Sequence, residues 1–445
     1  MTLAPVWRAR VDRWCEKLQK RIYRPLQAIE LEGFTTKDQL SSEEAAGRSF
    51  SPMPPGTDWG AKWEYGWFRC TVTLPPEAAG QAIEFRLNPG GEKLVFVDGR
   101  ARGHGDVLLT ESAEEGTTYQ VLAEAYGGHG PTPVTAGPVI PGKEPVPEPP
   151  PTQRTIGESS LGVRQHEVYA LHIDVQTLLH LRDSLHADSL RVAEIDAGLR
   201  DFTTILDLEL PREGFLETVR AARERLQPLL ECSNGSTAPT MYAFGHGHLD
   251  VAWLWPLAET TRKAARTLST QLELAERYPK HKFIHSQTEL FRRVKENYPR
   301  LWERVKAGVA DGNIIADGST WVEMDTNVTG GESLIRQFIY GKRFYREEFG
   351  LDTELLWLPD VFGYSGAMPQ IMRGCGVKYF ATAKIFWAYK GGEPFPHNTF
   401  TWQGIDGSKV LVHLMNDYNS QMRPSDVIQR WRERRQKDGL STRLM

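Results

Sequence analysis

Two histidines and an aspartate stand at intervals of two in Gly245-His246-Gly247-His248-Leu249-Asp250, directly after the apolar run Met241 to Phe244. If that run is a buried strand, alternation of side chains along extended backbone turns His246, His248 and Asp250 into one space at its end. Neutral imidazole nitrogen and carboxylate oxygen form a set that zinc accepts, and a catalytic zinc needs at least three protein ligands beside an open position. Trp253 and Trp255 follow at once, two indoles able to wall a pocket. The plain alternative is that the histidines bond backbone carbonyls at a strand end while Asp250 caps the next helix. The aspartate and Trp253, in register with the histidines, favour the ligand reading.

The elements that must position this cluster are short apolar strands alternating with helices. Strand candidates are Met241 to Phe244, Lys282 to His285, Asn313 to Ala316, Glu354 to Leu358, Tyr379 to Ala383 and Lys409 to Leu414; helices between them include Glu259 to Tyr278 and Glu332 to Phe349. That alternation predicts a parallel, β/α barrel-like sheet, whose sites lie at the carboxyl ends of its strands. Polar residues fall where that rule asks: Ser286-Gln287, Asp317 to Asp325 with Trp321 and Glu323, Asp360 with Tyr364, Lys384 with Trp387, and Asn416-Asp417-Tyr418-Asn419. Asp360 sits at the mouth of the strand Glu354 to Leu358, where Trp357, Phe362 and Tyr364 lower the local dielectric. It is read as a metal ligand, a nucleophile or both, against the simpler role of a cap.

Upstream, Val6 to Ile22 carries one helical stripe. From Thr57 the texture becomes that of antiparallel strands, with Cys70-Thr71-Val72-Thr73-Leu74, Ile83 to Leu87 and Leu94 to Val97 separated by turn residues, which predicts a β-sandwich. Its tryptophans are read as core rather than as stacking platforms for sugars. The proline-rich stretch 127–151 is read as an excursion within the sandwich, because Leu161 to Arg164 and Val168 to Ile173 again have strand character. Asp174 and Ser189 are expected to cap two helices and Glu213 to Leu230 to form a third. The expected domains are 1–45 (helix and lead-in), 46–173 (sandwich), 174–237 (helical connector) and 238–445 (catalytic α/β domain).

Composition narrows the function. At 445 residues with 40% hydrophobic and 25% charged residues the chain is a multidomain globular protein, and a net charge of -4 supplies no basic field for nucleic acid. No apolar run reaches membrane-spanning length, and Arg8, Arg10, Arg13, Lys17, Lys20 and Arg21 interrupt the start, unlike a signal peptide. Cys15, Cys70, Cys232 and Cys375 are widely spaced, which fits a reducing compartment; the expectation is a cytoplasmic protein, with association into a homo-oligomer left open.

Three motifs in order, Gly245 to Pro256, Trp321-Val-Glu323-Met-Asp325 through Glu332-Ser333, and Leu358-Pro-Asp360-Val-Phe-Gly-Tyr364-Ser365, resemble glycoside hydrolase family 38, the class II α-mannosidases, in the cytosolic and bacterial branch. The resemblance implies that His248, Asp250 and Asp360 hold one zinc ion and that Asp360 is the nucleophile of a retaining hydrolysis. It further implies that Trp253 walls the sugar, that Asp417 and Tyr418 contact its hydroxyls, and that His246 orients a ligand. Asp325 and Glu332 are left open between a site role and a structural one. The substrates implied are α-mannosides or mannose-containing oligosaccharides. The family's further zinc-binding histidine and its acid/base segment are not found, so the acid/base is expected beyond residue 445, in an amino-terminal portion of reduced or absent activity. Two other readings are a non-catalytic carbohydrate-binding fragment and a zinc amidohydrolase, the latter needing further histidines from among His285, His397 and His413.

Overall fold

A computed structural model describes residues 3–130, 148–235, 238–386, 395–415, 418–435, 437 and 442–444. Alternating inward residues build two antiparallel sheets that face each other. One sheet orders Tyr23–Ile29, Ser159–Arg164, Ile83–Arg86 and Val107–Thr110; the other orders Ser51–Pro52, Glu32–Thr36, Tyr65–Thr73, Thr118–Tyr126, Lys93–Val97 and Arg100–Ala101. Phe68, Val72, Phe85, Val95 and Leu161 fill the space between them and are fully buried. Two strands of the sandwich thus lie at 23–36, in the span read as a lead-in. After the proline-rich stretch the chain returns to the same sheet at Ser159–Arg164, between Tyr23–Ile29 and Ile83–Arg86; residues 131–147 of that stretch lie outside the described residues. Trp59 and Trp67 are core residues, whereas Trp63 is exposed and takes φ 65°.

The expected strand Val168 to Ile173 is helix. His166–Ser184 forms one continuous element, and Asp174, expected as its cap, lies inside it and binds Arg223 at 2.9 Å. Branched residues give this segment strand texture, but Val168, Leu171, Val175 and Leu178 recur at three and four, and burial of that stripe decides the outcome. Ser189 does cap the next helix, Leu190–Ile205, accepting from the Val192 amide at 3.2 Å. These helices, Arg212–Leu230 and the amino-terminal Pro5–Arg21 share one core around Leu18, Leu171, Leu199, Phe202, Val219 and Leu226.

In the last part Gly245–His246, Phe283–Gln287 and Ile314–Thr320 pair in parallel, as do Leu355–Trp357, Tyr379–Thr382 and Lys409–Leu414. Met241 to Phe244 is not one strand: Thr240–Tyr242 pairs with Thr442–Leu444, while Gly245–His246 joins the sheet that carries the site. An unexpected antiparallel strand, Thr399–Gln403, flanks Lys409–Leu414. Helix Gly331–Phe349 lies so close to Ile314–Thr320 that a Cβ on Gly341 would come 2.5 Å from the Ser319 carbonyl oxygen. Backbone cannot yield as a side chain does, so Gly341→Ala is expected to destabilise the chain by about 1–3 kcal/mol in urea unfolding.

Helix Leu257–Arg277 is wedged between the two architectures. Ala264, Ala265 and Leu268 pack with Trp67, Leu94 and Phe96 of the sandwich. Beside this apolar seam Arg262 Nε donates to Glu124 at 2.6 Å, with both side chains almost fully buried. Glu124→Ala would strand a guanidinium away from water, and the expected loss is about 3–5 kcal/mol, with Glu124→Gln costing less, both read from denaturant midpoints.

Candidate active site

The strand that carries His246 ends there, and the following loop brings His248 and Asp250 over the sheet's carboxyl edge, where Asp360 arrives from the end of Leu355–Trp357. His248 Nε2 stands 3.4 Å from Asp250 Oδ1 and 3.6 Å from Asp360 Oδ2. One ligand atom from each of the three lies within 4.8 Å of the others, the one such group found among the described residues. Those spacings match a coordination shell: metal bonds of 2.0–2.1 Å in a tetrahedron put neighbouring ligand atoms about 3.3–3.4 Å apart. Neither ring nitrogen of His248 makes a hydrogen bond of good geometry, although both are shut off from water. The donor set and its spacing therefore fit a divalent cation.

Glu323, named in the sequence only as one of the polar residues after its strand and given no role there, completes the surroundings. Its side chain is 4% exposed, its Oε2 lies 2.8 Å from His248 Nδ1, and its Oε1 accepts from Ser286 Oγ at 3.3 Å and Gln287 Nε2 at 3.4 Å. Burial alone would lower the proton affinity of His248, but Asp250 and Glu323 outweigh it and raise the pKa to about 10. Three carboxylates around one imidazole make an electrostatic sink that a positive charge satisfies, whether the ring's proton or a bound cation.

Asp360 divides its oxygens. Oδ2 faces His248, and Oδ1 accepts hydrogen bonds from Lys384 Nζ and the Tyr418 hydroxyl. The Tyr418 ring lies 5.8 Å from that of His248, so this residue reaches the cluster through Asp360. Trp253 is 61% exposed beside the loop and meets Trp255 edge-to-face at 5.7 Å. The turn between Asp250 and Trp253 holds Ala252 at φ 72°, fixed by Thr260 Oγ1, which accepts from the Ala252 amide and from Trp255 Nε1, each at 3.1 Å.

Other candidates are placed differently. His246 is not one of the three residues whose ligand atoms come together, which are His248, Asp250 and Asp360. Its Nε2 accepts from Trp357 Nε1 at 3.2 Å, which leaves the proton on Nδ1 to donate to the Ile284 carbonyl at 3.3 Å. The residue that faces His248 is Glu323. Asp325 Oδ1 accepts from the amides of Asn327 and Val328 at 2.8 Å, a turn, and Glu332 pairs with Arg336 on the helix surface. Asp417 and Trp387 lie outside the described residues. The histidines an amidohydrolase would need are elsewhere: His285 is buried 4.5 Å from the Phe291 ring, His413 bonds Thr399 Oγ1 at 2.9 Å, and His397 lies beside Phe395.

Burial pushes the pKa of His285 down to about 3. A folded-state value below the unfolded one gives stability that is complete above about pH 6.5 and is lost as pH falls toward the folded value. Between pH 6.5 and pH 4 this one residue is expected to remove roughly 3 kcal/mol, and His285→Phe should flatten that part of the stability–pH curve measured in urea.

A β-sandwich is thus joined to parallel strands that present two carboxylates and an imidazole at their carboxyl edge. Residues 238–445 match the model described as "Glycosyl hydrolases family 38 N-terminal domain", residues 24–129 match "Alpha-mannosidase, jelly roll domain", and the chain belongs to glycosyl hydrolase family 38. Alpha-mannosidase 2C1 of Homo sapiens is 36% identical over 394 residues, covering 86% of this chain and 36% of its own length. Alpha-mannosidase G of Dictyostelium discoideum is 33% identical over 412 residues, covering 89% of this chain and again 36% of its own. The chain thus spans about a third of these relatives. A solved structure, of an alpha-mannosidase from Enterococcus faecalis V583, aligns with 46% of this chain and 24% of its own at 20% identity and a TM-score of 0.39.

Proposed function

We propose that this chain provides the nucleophile and cation-binding residues of a zinc-dependent retaining α-mannosidase acting on terminal α-mannosyl residues of oligosaccharides in the cytoplasm. The observation that carries the reading is the convergence of His248, Asp250 and Asp360 at one strand edge, with Asp360 held at its other oxygen by Lys384 and Tyr418. His248, Asp250 and Asp360 Oδ2 would hold the zinc, which when bound supplies positive charge to vicinal sugar hydroxyls and favours a flattened, oxocarbenium-like ring. Asp360 attacks the anomeric carbon as the glycosidic bond breaks, giving a covalent glycosyl-enzyme that water then opens.

Lys384 and Tyr418 orient that attack by holding Asp360 Oδ1. Glu323 holds the His248 ring in place through Nδ1. Trp253 offers an exposed ring face to the apolar side of the sugar. The acid that protonates a leaving group is assigned to no residue of this chain, so the direct test uses a leaving group that needs none. With zinc added, 2,4-dinitrophenyl 2-deoxy-2-fluoro-α-mannoside should release one equivalent of phenolate and leave a mannosyl adduct that peptide mass spectrometry locates on Asp360. An adduct on another carboxylate, or binding of mannose with no adduct in any condition, would replace this reading with that of a carbohydrate-binding protein.

A further inference from the structure

Helix Leu257–Arg277 lies along the sandwich in a fixed direction. Its far half meets the sandwich through Glu273 with Arg102 at 2.6 Å, and its first half through Lys263 with Glu92 at 2.7 Å and Arg262 with Glu124. The sandwich end near Glu92 and Glu124 therefore stands beside the helix start, which is the rim of the site, since the loop 249–256 carrying Trp253 leads directly into it.

On that end of the sandwich Trp63 is 36% exposed and sits 6.5 Å from the His129 ring at a shallow angle of 31°. A bulky residue at φ 65° is strained, and here the conformation is held by the Trp63 amide donating to the Gly128 carbonyl at 2.9 Å. Trp253 is presented in the same manner, next to left-handed Ala252. A series of contacts leads from one indole toward the other: Trp253 meets Trp255, Lys263 Nζ lies 4.8 Å from the Trp255 ring centre and pairs with Glu92, and Arg154 lies beside both Gly91 and Gly128. Ring faces alternating with charged donors and a carboxylate suit a ligand that has apolar C–H faces and many hydroxyls, which is a neutral oligosaccharide.

We propose that Trp63 and His129 form a distal sugar-binding platform, on which residues beyond the terminal mannose of an α-mannosyl oligosaccharide stack. The proposal rests on the mannosidase reading and adds to it a preference for substrate length. The site binds a chain of sugars laid from the sheet edge across the helix start onto the sandwich.

Calorimetry on the full chain with zinc, comparing methyl α-mannoside with a linear α-linked mannotetraose, tests this. The tetraose should bind about tenfold more tightly, the contribution expected of one or two aromatic stacking contacts. Trp63→Ala should abolish that advantage and leave the affinity for methyl α-mannoside within about twofold. Trp63→Gly, which takes a positive φ without strain, should show the same loss. Equal affinity of the wild type for both sugars overturns the proposal, as does an advantage that survives in either variant. If methyl α-mannoside binds without any tetraose advantage, only the distal platform falls; if it does not bind at all, the mannosidase reading falls and the platform with it.

Discussion

Asp360→Asn is expected to lower kcat/KM on an activated aryl α-mannoside by roughly 10⁴- to 10⁶-fold, the scale seen when a covalent nucleophile is removed from a working site. Asparagine keeps the size of the side chain and leaves a carbonyl oxygen to accept from Lys384 and Tyr418, so the fold is expected to survive, and zinc titration of the variant separates loss of the nucleophile from loss of a cation ligand. Thermal unfolding of the variant checks that point. A sharper form of the test uses Asp360→Gly with added azide. A small anion entering the space of the lost carboxylate attacks the anomeric carbon from the same side and gives β-mannosyl azide. Recovery of turnover with an α-configured product would refute the assignment of Asp360.

The second large effect concerns the cation. His248→Ala removes one of three ligands and is expected to weaken zinc binding by more than about 100-fold in competition with a chromophoric chelator, because the affinity of such a site depends on every member of its set. Glu323→Gln should weaken it by about 10- to 100-fold, the range typical of a partner that orients a ligand without touching the metal. The graded order is the informative part. Equal losses would make Glu323 a ligand itself, and no loss from Glu323→Gln would make its 2.8 Å approach to His248 Nδ1 incidental.

The cluster of candidate ligands is legible in the sequence, and its support less so. His248, Asp250 and Asp360 are visible because loops after parallel strands must converge, whatever the details of each strand. Glu323 stands in a conspicuous run, Trp321-Val-Glu323-Met-Asp325, yet nothing in that spacing reveals that its carboxylate turns back two strands to His248. Lys384 and Tyr418 are similar: each lies in a loop marked by polar residues, but their shared grip on one oxygen of Asp360 is a fact of tertiary structure. His246 is the last residue of its strand, and its two ring nitrogens meet Trp357 and the Ile284 carbonyl, contacts that its spacing from His248 does not reveal. The helix His166–Ser184 was misread for a related reason: its first turn is locally strand-like, and the stripe that fixes it is completed only by contact with helices on either side of it in sequence.

The seam along Leu257–Arg277 also bears on how this polypeptide can be handled and how it could have been assembled. Excising the portion from residue 238 onward would bare Ala264, Ala265 and Leu268 together with the Arg262 guanidinium, whose buried counterion Glu124 had been left behind. Such a fragment would be sticky on one flank and would lose the brace behind the loop that carries Trp253. The sandwich thus covers an apolar flank of the α/β part, and exchange of modules across this joint would have to carry Glu92, Glu124 and their arginine and lysine partners together.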